Sequence, residues 1–519
     1  MTSFFANAAD ALKEMSDKGS KSTELGEDSK KELKRMEVER AGTFHQVSSI
    51  YQSDVEKVPK QPHHQKKDSK AASSKSEDEV KHEKELRRLR RSHPLGRVVN
   101  RKCSVPLLGM SAKGTNYRGI VNLMCLLLVA LNLRLVLENL IKYGILLRPW
   151  EYLSINNLRH HLPLVYTLIL VLCCPALSYI IERYIAPGQK DRRLANALQL
   201  SVLLAVLIGP LYTIETTAPH GLLAMGLLCC SVTYAMKIVS YWHVCHDLFW
   251  SVKKNKLEML LGDEKETLEV ARKYPRCLSL KDMYMFIAYP TLCYQLWYPR
   301  YPHRNWMRLL KYTALLLFCL ALQLIIMQQY MLPILLNARI MLIDSQSWRE
   351  SALIVAERVL KLAVPNLYCW LLMFFTLFHT WMNILAELTR FGDREFYLDW
   401  WNSVSFREYW QKWNLPVHYF ILRHMYVPAR RFGCSQDVAG MLCFVFSGVL
   451  HEYVSMIPFG LPFYTLVTQM FIAQVPLMVL TDKKFIRDRP NLGNCIFWIT
   501  FCFTGQPAAM MVFFLLKYM

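Results

Sequence analysis

The chain has 519 residues, of which 53% are hydrophobic, and a formal net charge of +21 at pH 7. The hydrophobic residues are concentrated in runs of about twenty after position 118, which excludes a single soluble core and predicts an all-α polytopic membrane protein. The excess basic charge adjoins these runs, so we expect membrane lipids as partners and no nucleic acid.

Residues 1–113 are predicted to be a disordered cytosolic tail that is basic near the membrane. Lys, Glu, Ser, Asp and Gln dominate its sequence and aromatic residues are few, so it cannot bury enough surface to offset the entropy of ordering. The segment 84–91, KELRRLRR, is expected to form a short helix on anionic headgroups, with a plain topology signal as the alternative. Met1–Ser22 has no continuous apolar stretch, so the first span is expected to act as the targeting signal.

Residues 114–519 form the predicted membrane domain. About nine transmembrane helices are expected, at roughly 119–147, 162–184, 194–216, 219–241, 309–337, 366–389, 438–458, 461–481 and 492–517. A cytosolic N-terminus places the basic connections 185–193, 242–308, 390–437 and 482–491 in the cytosol. The basic connection 338–365 fits this arrangement least well.

Two connections are too apolar to be plain loops. The segment Leu280–Pro299 is rich in aromatic residues and is interrupted by Pro290, which predicts an interfacial or re-entrant helix. The segment Arg390–Phe432 is dense in Trp, Tyr and His, and such amphipathic side chains prefer the membrane interface. We expect it to lie there, partly folded back towards the core, with a belt of anchoring aromatic residues as the alternative.

A histidine lies where a charged side chain is costly. Between Asp437 and Asp482, His451 and Glu452 are the only His, Asp, Glu, Lys or Arg residues, midway along the predicted span 438–458. An ionisable residue at that depth is unfavourable unless it is paired or lines a wet cavity, so it is a candidate functional residue. The alternative is a histidine that only packs between helices.

Other polar side chains are expected to converge on His451. Ser447 precedes it by one helical turn and shares its face. Gln474 and Gln506 lie in the last two predicted spans and are expected to line a polar cavity, with simple interhelical bonding as the alternative. A neutral imidazole in such a site is a competent general base for an alcohol, and an amide such as Asn402 is expected to hold the acyl donor or stabilise an oxyanion.

Two motifs resemble those of a known superfamily. Phe396–Asn402 reads FYLDWWN and His451–Tyr453 reads HEY, and both match motifs of the membrane-bound O-acyltransferases. Further strings resemble its type 1 diacylglycerol O-acyltransferase branch, namely 116–120 (NYRGI), 137–144 (LENLIKYG), 290–294 (PTLCY), 391–397 (FGDREFY), 414–418 (NLPVH) and 505–507 (GQP). The resemblance covers about residues 114–519.

The resemblance implies an enzyme that joins the acyl group of acyl-CoA to the free hydroxyl of diacylglycerol. It makes His451 the catalytic histidine and Asn402 its partner in the active site. It implies that substrate-binding residues in the chamber and at its acyl-CoA entrance are Glu452, Gln474, Gln506, Ser447, Tyr426 and Trp401. It further implies an endoplasmic reticulum membrane location, a homodimer or homotetramer, and acyl-CoA as co-substrate without another cofactor. The sequence has no CxxC pair with a matching His or Cys, so no structural metal is expected.

Other functions are also considered. A sterol O-acyltransferase of the same superfamily would share the histidine but accept a rigid ring system. A lipid transporter or scramblase would use His451 and Glu452 as a proton relay, although transporters usually show internal repeats and none is seen here. A pseudoenzyme scaffold is disfavoured by the intact His451 and Asn402. The chain has no GxSxG, Walker A or GxGxxG motif, so serine-hydrolase chemistry and nucleotide cofactors are not predicted.

Overall fold

The computed structural model describes residues 78, 81–86, 118–148, 158–186, 192–219, 221–258, 265–461 and 466–518. The predicted disorder of residues 1–113 therefore lies outside the described residues, apart from position 78 and a helical stretch at 81–86. That stretch includes the first three residues of the basic segment 84–91, where a short helix is predicted.

The described part of the first half of the membrane domain is mainly helical. Its helices are α1 (Arg118–Tyr143), α2 (Leu158–Ile180, extended by a π-helical turn at Ile181–Ile185), α3 (Arg192–Thr217), α4 (Gly221–Lys253), α5 (Lys265–Ala271), α6 (Leu280–Ala288), α7 (Trp306–Ile326, extended by a π-helical turn at Met327–Met331) and α8 (Leu332–Asp344).

The second half contains the helices that carry the sequence motifs. Its helices are α9 (Trp348–Phe374, extended by a π-helical turn at Phe375–Trp381), α10 (Met382–Thr389), α11 (Phe406–Lys412), α12 (Leu415–Ile421, extended by a π-helical turn at Leu422–Tyr426), α13 (Val427–Arg431), α14 (Gln436–Ser455), α15 (Leu466–Ile472), α16 (Gln474–Thr481), α17 (Lys484–Arg487), α18 (Pro490–Ile499, extended by a π-helical turn at Thr500–Gly505) and α19 (Gln506–Tyr518).

The all-α class is confirmed for the described residues. Their only β contact is an isolated bridge between Arg300 and Phe391. Eight of the described helices are long and apolar enough to cross a membrane, and they coincide with eight of the nine predicted spans. The remaining predicted span, 461–481, contains the shorter apolar segment Leu466–Thr481, which is interrupted at Ala473 between α15 and α16.

One predicted connection was wrong. Most of the segment 338–365 is helical, because α8 continues to Asp344 and α9 already begins at Trp348. Ser347 caps α9 by accepting a hydrogen bond from the Glu350 amide, the pattern that favours a helix start. The continuous helix Trp348–Thr389 has 42 residues, which makes it about 63 Å long at 1.5 Å per residue, well over the bilayer core.

The aromatic connection Leu280–Pro299 folds as predicted in its first half, where α6 forms. Ser279 caps this helix by accepting a hydrogen bond from the Asp282 amide, and the helix ends at Ala288, just before Pro290. The Lys237 ammonium, from the middle of α4, donates to the carbonyls of Phe286, Ile287 and Tyr289 at 3.0, 2.8 and 2.7 Å. A buried lysine therefore satisfies the C-terminal carbonyls of a helix that packs beside a membrane span.

Candidate active site

His451 has one ring nitrogen fixed and the other open. It lies on α14, and its Nδ1 is 2.7 Å from the carbonyl oxygen of Ser447, one turn earlier. A carbonyl only accepts, so Nδ1 carries the hydrogen and Nε2 carries the free lone pair. Nε2 has no hydrogen-bond partner among the described residues, and the side chain is exposed although it lies within a membrane span.

The helix α15 lies directly against this part of α14. The ring of Phe471 lies 4.6 Å from the imidazole, centroid to centroid. The close approach depends on Gly448, since a Cβ atom there would lie 2.8 Å from the Thr468 Cα atom. Any larger residue at this position would push α15, and with it Phe471, away from the histidine.

Glu452 is buried and binds the first turn of α15. Its Oε1 accepts from the Leu466 amide at 3.1 Å and its Oε2 accepts from the Thr468 amide at 3.0 Å. These amides belong to the N-terminal turn of the helix, which has no intrahelical partners for its donors and favours negative charge. Glu452, predicted to contact substrate, thus uses both carboxylate oxygens to hold the helix that carries Phe471.

Gln474 is connected to His451 through an aromatic pair. Its Oε1 accepts from the Trp410 indole at 3.1 Å, and the Trp410 ring lies 5.5 Å from that of Phe471. Gln474 is the first residue of α16, directly after the break at Ala473. The structure therefore brings the two residues into one aromatic-lined region without direct contact.

The FYLDWWN motif ends in a tight turn that does not contact His451. Trp400–Asn402 is a 3-10 turn, and the exposed Asn402 amide donates to Asp399 at a long 3.4 Å. Among the described residues, this is the only hydrogen bond of the Asn402 side chain, and Asn402 does not contact His451. Its predicted catalytic role stays a prediction.

Helix α18 clamps this turn from one side. The Asn494 amide donates to the carbonyls of Trp401 and Ser403, both at 3.0 Å, and the Trp498 indole donates to the same Trp401 carbonyl at 3.2 Å. Gly493 lets the backbones meet, because a Cβ atom there would collide with the Val404 carbonyl. The sequence shows no signal for this clamp beyond a glycine–asparagine pair at the start of an apolar helix.

The same motif is linked to the sixth predicted span through Tyr397. Its hydroxyl lies 2.9 Å from His379 Nδ1, and the His379 ring stacks on Phe375 at 4.8 Å. His379 lies in the π-helical turn that follows α9, and such turns occur often at functional sites. The polar face formed by His379 and Glu387 on this helix is visible in the sequence, but its tyrosine partner is not.

The remaining predicted site residues are Ser447, Tyr426, Gln506 and Trp401. Ser447 gives its carbonyl to the histidine, and its hydroxyl makes no hydrogen bond to a described residue. Tyr426 is half-buried and ends a π-helical turn. Gln506 is half-buried and begins α19 directly after another such turn. Trp401 is exposed, and its role in the structure is the clamped carbonyl.

A pair of histidines, His243 and His424, links the α12–α13 segment to α4 and was not predicted from the sequence. His424 Nε2 is 2.8 Å from the Ser240 hydroxyl, and its Nδ1 is 2.9 Å from His243 Nδ1. Burial, together with the charge of Arg423, lowers the pKa of His424 to about 3, so this imidazole is neutral at physiological pH. Its only sequence signal is a histidine within a basic connection.

Within the described ranges, no three His, Cys, Asp or Glu side chains converge as a metal-ligand set. The expected absence of a metal therefore stays a prediction.

Comparison with known proteins agrees with the motif resemblance. The model of the membrane-bound O-acyltransferase family matches residues 201–515. Diacylglycerol O-acyltransferase 1 of Corylus americana is 35% identical over 77% of this chain and 72% of its own length. Diacylglycerol O-acyltransferase 1C of Glycine max is 35% identical over 77% and 75%, and diacylglycerol O-acyltransferase 1-1 of Oryza sativa subsp. japonica is 35% identical over 80% and 75%.

Proposed function

Because the chain belongs to the membrane-bound O-acyltransferase family, we propose that it esterifies 1,2-diacylglycerol with the acyl group of acyl-CoA, using His451 as general base. The family membership rests on a match over residues 201–515. Relatives named diacylglycerol O-acyltransferase 1 resemble more than three quarters of this chain and support the acceptor. The observation that carries the histidine's role is its open Nε2 in a membrane span.

The chemistry follows from the fixed tautomer. The lone pair on His451 Nε2 accepts the proton of the diacylglycerol hydroxyl, while the hydroxyl oxygen attacks the thioester carbon of acyl-CoA. A C–O bond forms, the C–S bond breaks, and the imidazolium returns the proton to the departing CoA thiolate. The Ser447 carbonyl holds Nδ1–H throughout, which orients the ring and stabilises the imidazolium.

The test is replacement of His451 by alanine in the purified full-length protein. Acyl transfer from labelled oleoyl-CoA to diacylglycerol should fall by at least about a hundredfold, the lower end of general-base contributions. The matched control is His246→Ala, which removes a half-buried histidine of α4 whose polar partners among the described residues are Asp247 and Trp250. Near-normal turnover by a folded His451→Ala protein would falsify the assignment.

Direct transfer without an acyl-enzyme is part of the proposal, because no serine or cysteine lies within hydrogen-bonding distance of the free Nε2 among the described residues. Labelled acyl-CoA without acceptor should leave no label on the protein. A stoichiometric burst of bound acyl group that disappears in Ser447→Ala or Cys443→Ala would overturn direct transfer.

The acceptor that is esterified distinguishes the proposed function from that of a sterol O-acyltransferase. The names of the relatives favour diacylglycerol, and cholesterol should be a poor acceptor at equal membrane fractions. Faster esterification of cholesterol would move the chain to the sterol branch and leave the superfamily unchanged. Transport of lipid without any ester product would instead favour the transporter hypothesis.

The cellular setting belongs to the same proposal. The motif resemblance supports a location in the endoplasmic reticulum membrane. The basic connections 390–437 and 482–491 support a cytosolic N-terminus, because they then face the soluble pool of acyl-CoA. We propose a homodimer or homotetramer on the motif resemblance alone. No cofactor other than the acyl-CoA co-substrate is proposed, so chelators should leave turnover unchanged.

A further inference from the structure

A polar pocket of about 530 Å³ lies at the N-terminal end of α7, apart from the candidate active site. Its walls come from the chain before and within the first turn of α7, from Glu387 on α10 and from Arg394 in the connection after α10. Three arginines and one glutamate carry its charge: Arg304, Arg308, Arg394 and Glu387. None of the contacts of His451 involves these residues.

The arginines keep unused donors at this pocket. The Arg304 Nε donates to the Leu388 carbonyl at 2.9 Å, and both terminal nitrogens of this side chain have no partner within the described ranges. The Arg308 side chain has a single polar partner among the described residues, an ion pair to Glu387 at 3.6 Å, too long for a hydrogen bond. Both arginines line the same pocket, and guanidinium groups with free, planar donors are the side chains best suited to bind phosphate.

Glu387 organises the pocket and does not cancel its charge. Its side chain is 3% exposed and forms a short ion pair with Arg394 at 2.7 Å. It also accepts from the Asn305 amide at 2.5 Å, and so holds the connection that precedes α7. Three guanidinium charges and one carboxylate leave the lining with two positive charges, and an anion would balance them.

An exposed apolar stripe begins at the rim of the pocket. Trp306, Leu310 and Leu317 are 66%, 64% and 62% exposed, and at 100° per residue their positions on α7 lie within about 40° of one another. This stripe continues the pocket along a membrane-spanning helix. A soluble anion would use only the arginines, whereas a phospholipid would use the arginines and the stripe together.

We propose that this pocket binds the phosphate group of an anionic phospholipid, whose acyl chains lie along the Trp306–Leu317 face of α7. Arg304 and Arg308 donate to the phosphate oxygens, while Glu387 and Arg394 keep the connection in place. The site is independent of the acyl-transfer chemistry, so it stands whether or not the proposed acceptor is correct.

The test is native mass spectrometry of the full-length protein in neutral detergent, titrated with dioleoyl phosphatidate. The parent protein should retain one lipid that the double variant Arg304→Gln/Arg308→Gln loses, with affinity reduced at least about tenfold, the scale of one charge-assisted contact. The control Arg487→Gln removes an exposed arginine of α17 and should bind as the parent does. Unchanged binding by the double variant overturns the proposal.

Competitors distinguish the possible sources of the phosphate. Inorganic phosphate and CoA should not displace the bound phosphatidate, and dioleoyl phosphatidylcholine should bind equally to parent and variant. Displacement by inorganic phosphate would show a free-anion site, and displacement by CoA would assign the pocket to the acyl donor; either result overturns a lipid site. Arg308→Gln alone keeps the test valid if the double variant unfolds, because Arg308 makes only the long ion pair.

Discussion

Variants of Glu452 test whether this residue of the HEY motif positions α15 or takes part in the proton transfer itself. In Glu452→Gln one oxygen still faces an amide of α15, but the new NH2 group faces the other amide, donor against donor. The variant loses one charge-assisted hydrogen bond, about 1.5–3 kcal/mol, and the negative charge at a helix N-terminus, about 0.3–1 kcal/mol. We therefore expect the free energy of unfolding to fall by about 2–4 kcal/mol.

The larger change Glu452→Ala should cost more, about 2–6 kcal/mol, because it leaves two buried backbone amides without a partner at about 1–3 kcal/mol each. Thermal unfolding in detergent measures the order, with parent above glutamine above alanine. Phe471 lies on α15, the helix that Glu452 holds, so kcat should decrease together with the free energy of unfolding. The shape of the pH–rate profile should not change. Glu215→Gln, at an exposed glutamate of α3, is the matched control and should alter neither quantity.

One result would refute this reasoning. If Glu452→Gln unfolds at the parent temperature but has lost turnover, or if it removes one limb of the pH–rate profile, Glu452 takes part in proton transfer. The two oxygens seen on the α15 amides would then describe only a resting arrangement.

Three further changes test the scaffold around the site. Lys237→Met should lower the free energy of unfolding by about 3 kcal/mol, at about 1 kcal/mol for each orphaned carbonyl, and Lys237→Arg should lose less when both are unfolded in detergent. Asn494→Ala removes the donor to the Ser403 carbonyl and leaves the Trp401 carbonyl with only the Trp498 indole among the described residues, so the turn should loosen. We expect kcat to fall severalfold with little change in KM, as steady-state kinetics would show. His424 is held neutral by burial, so the stability it contributes is complete above about pH 6.5, the ordinary value for histidine, and is lost as the pH falls towards its pKa of about 3. A melting-temperature series between pH 7 and 5 should therefore be flatter for His424→Gln than for the parent.

The apolar spans could be predicted because hydropathy is a local property. Eight predicted spans correspond to long helices. The prediction of a connection at 338–365 was wrong for a physical reason. Charged residues in this stretch neutralise one another within the helix, since Glu357 pairs with both Arg358 and Lys361. A helix that is longer than the bilayer is thick can place such ion pairs in the water outside the membrane. Charged residues in this stretch therefore do not indicate where the helix ends.

The place of His451 in an apolar span could be predicted from the sequence, and its catalytic role stays a prediction. The contacts that build the candidate site could not be predicted. His451 is conspicuous because it is ionisable in an apolar span, which is again a local signal. Its surroundings depend on contacts between distant segments, such as Trp410 with Gln474 and Asn494 with Trp401. No spacing rule links these positions, because helix packing and not chain periodicity brings them together.

The order of residues in the HEY motif follows from helix geometry. Successive residues on a helix are turned by about 100°, so three neighbours point in three directions. His451 is open at Nε2, Glu452 binds the amides of α15, and the Tyr453 hydroxyl donates to the Leu207 carbonyl on α3 at 2.7 Å. The two residues after the histidine thus attach its helix to a different neighbour each. A base that must meet a substrate within the bilayer needs its backbone fixed from the sides it does not use, and this motif provides that in three consecutive positions.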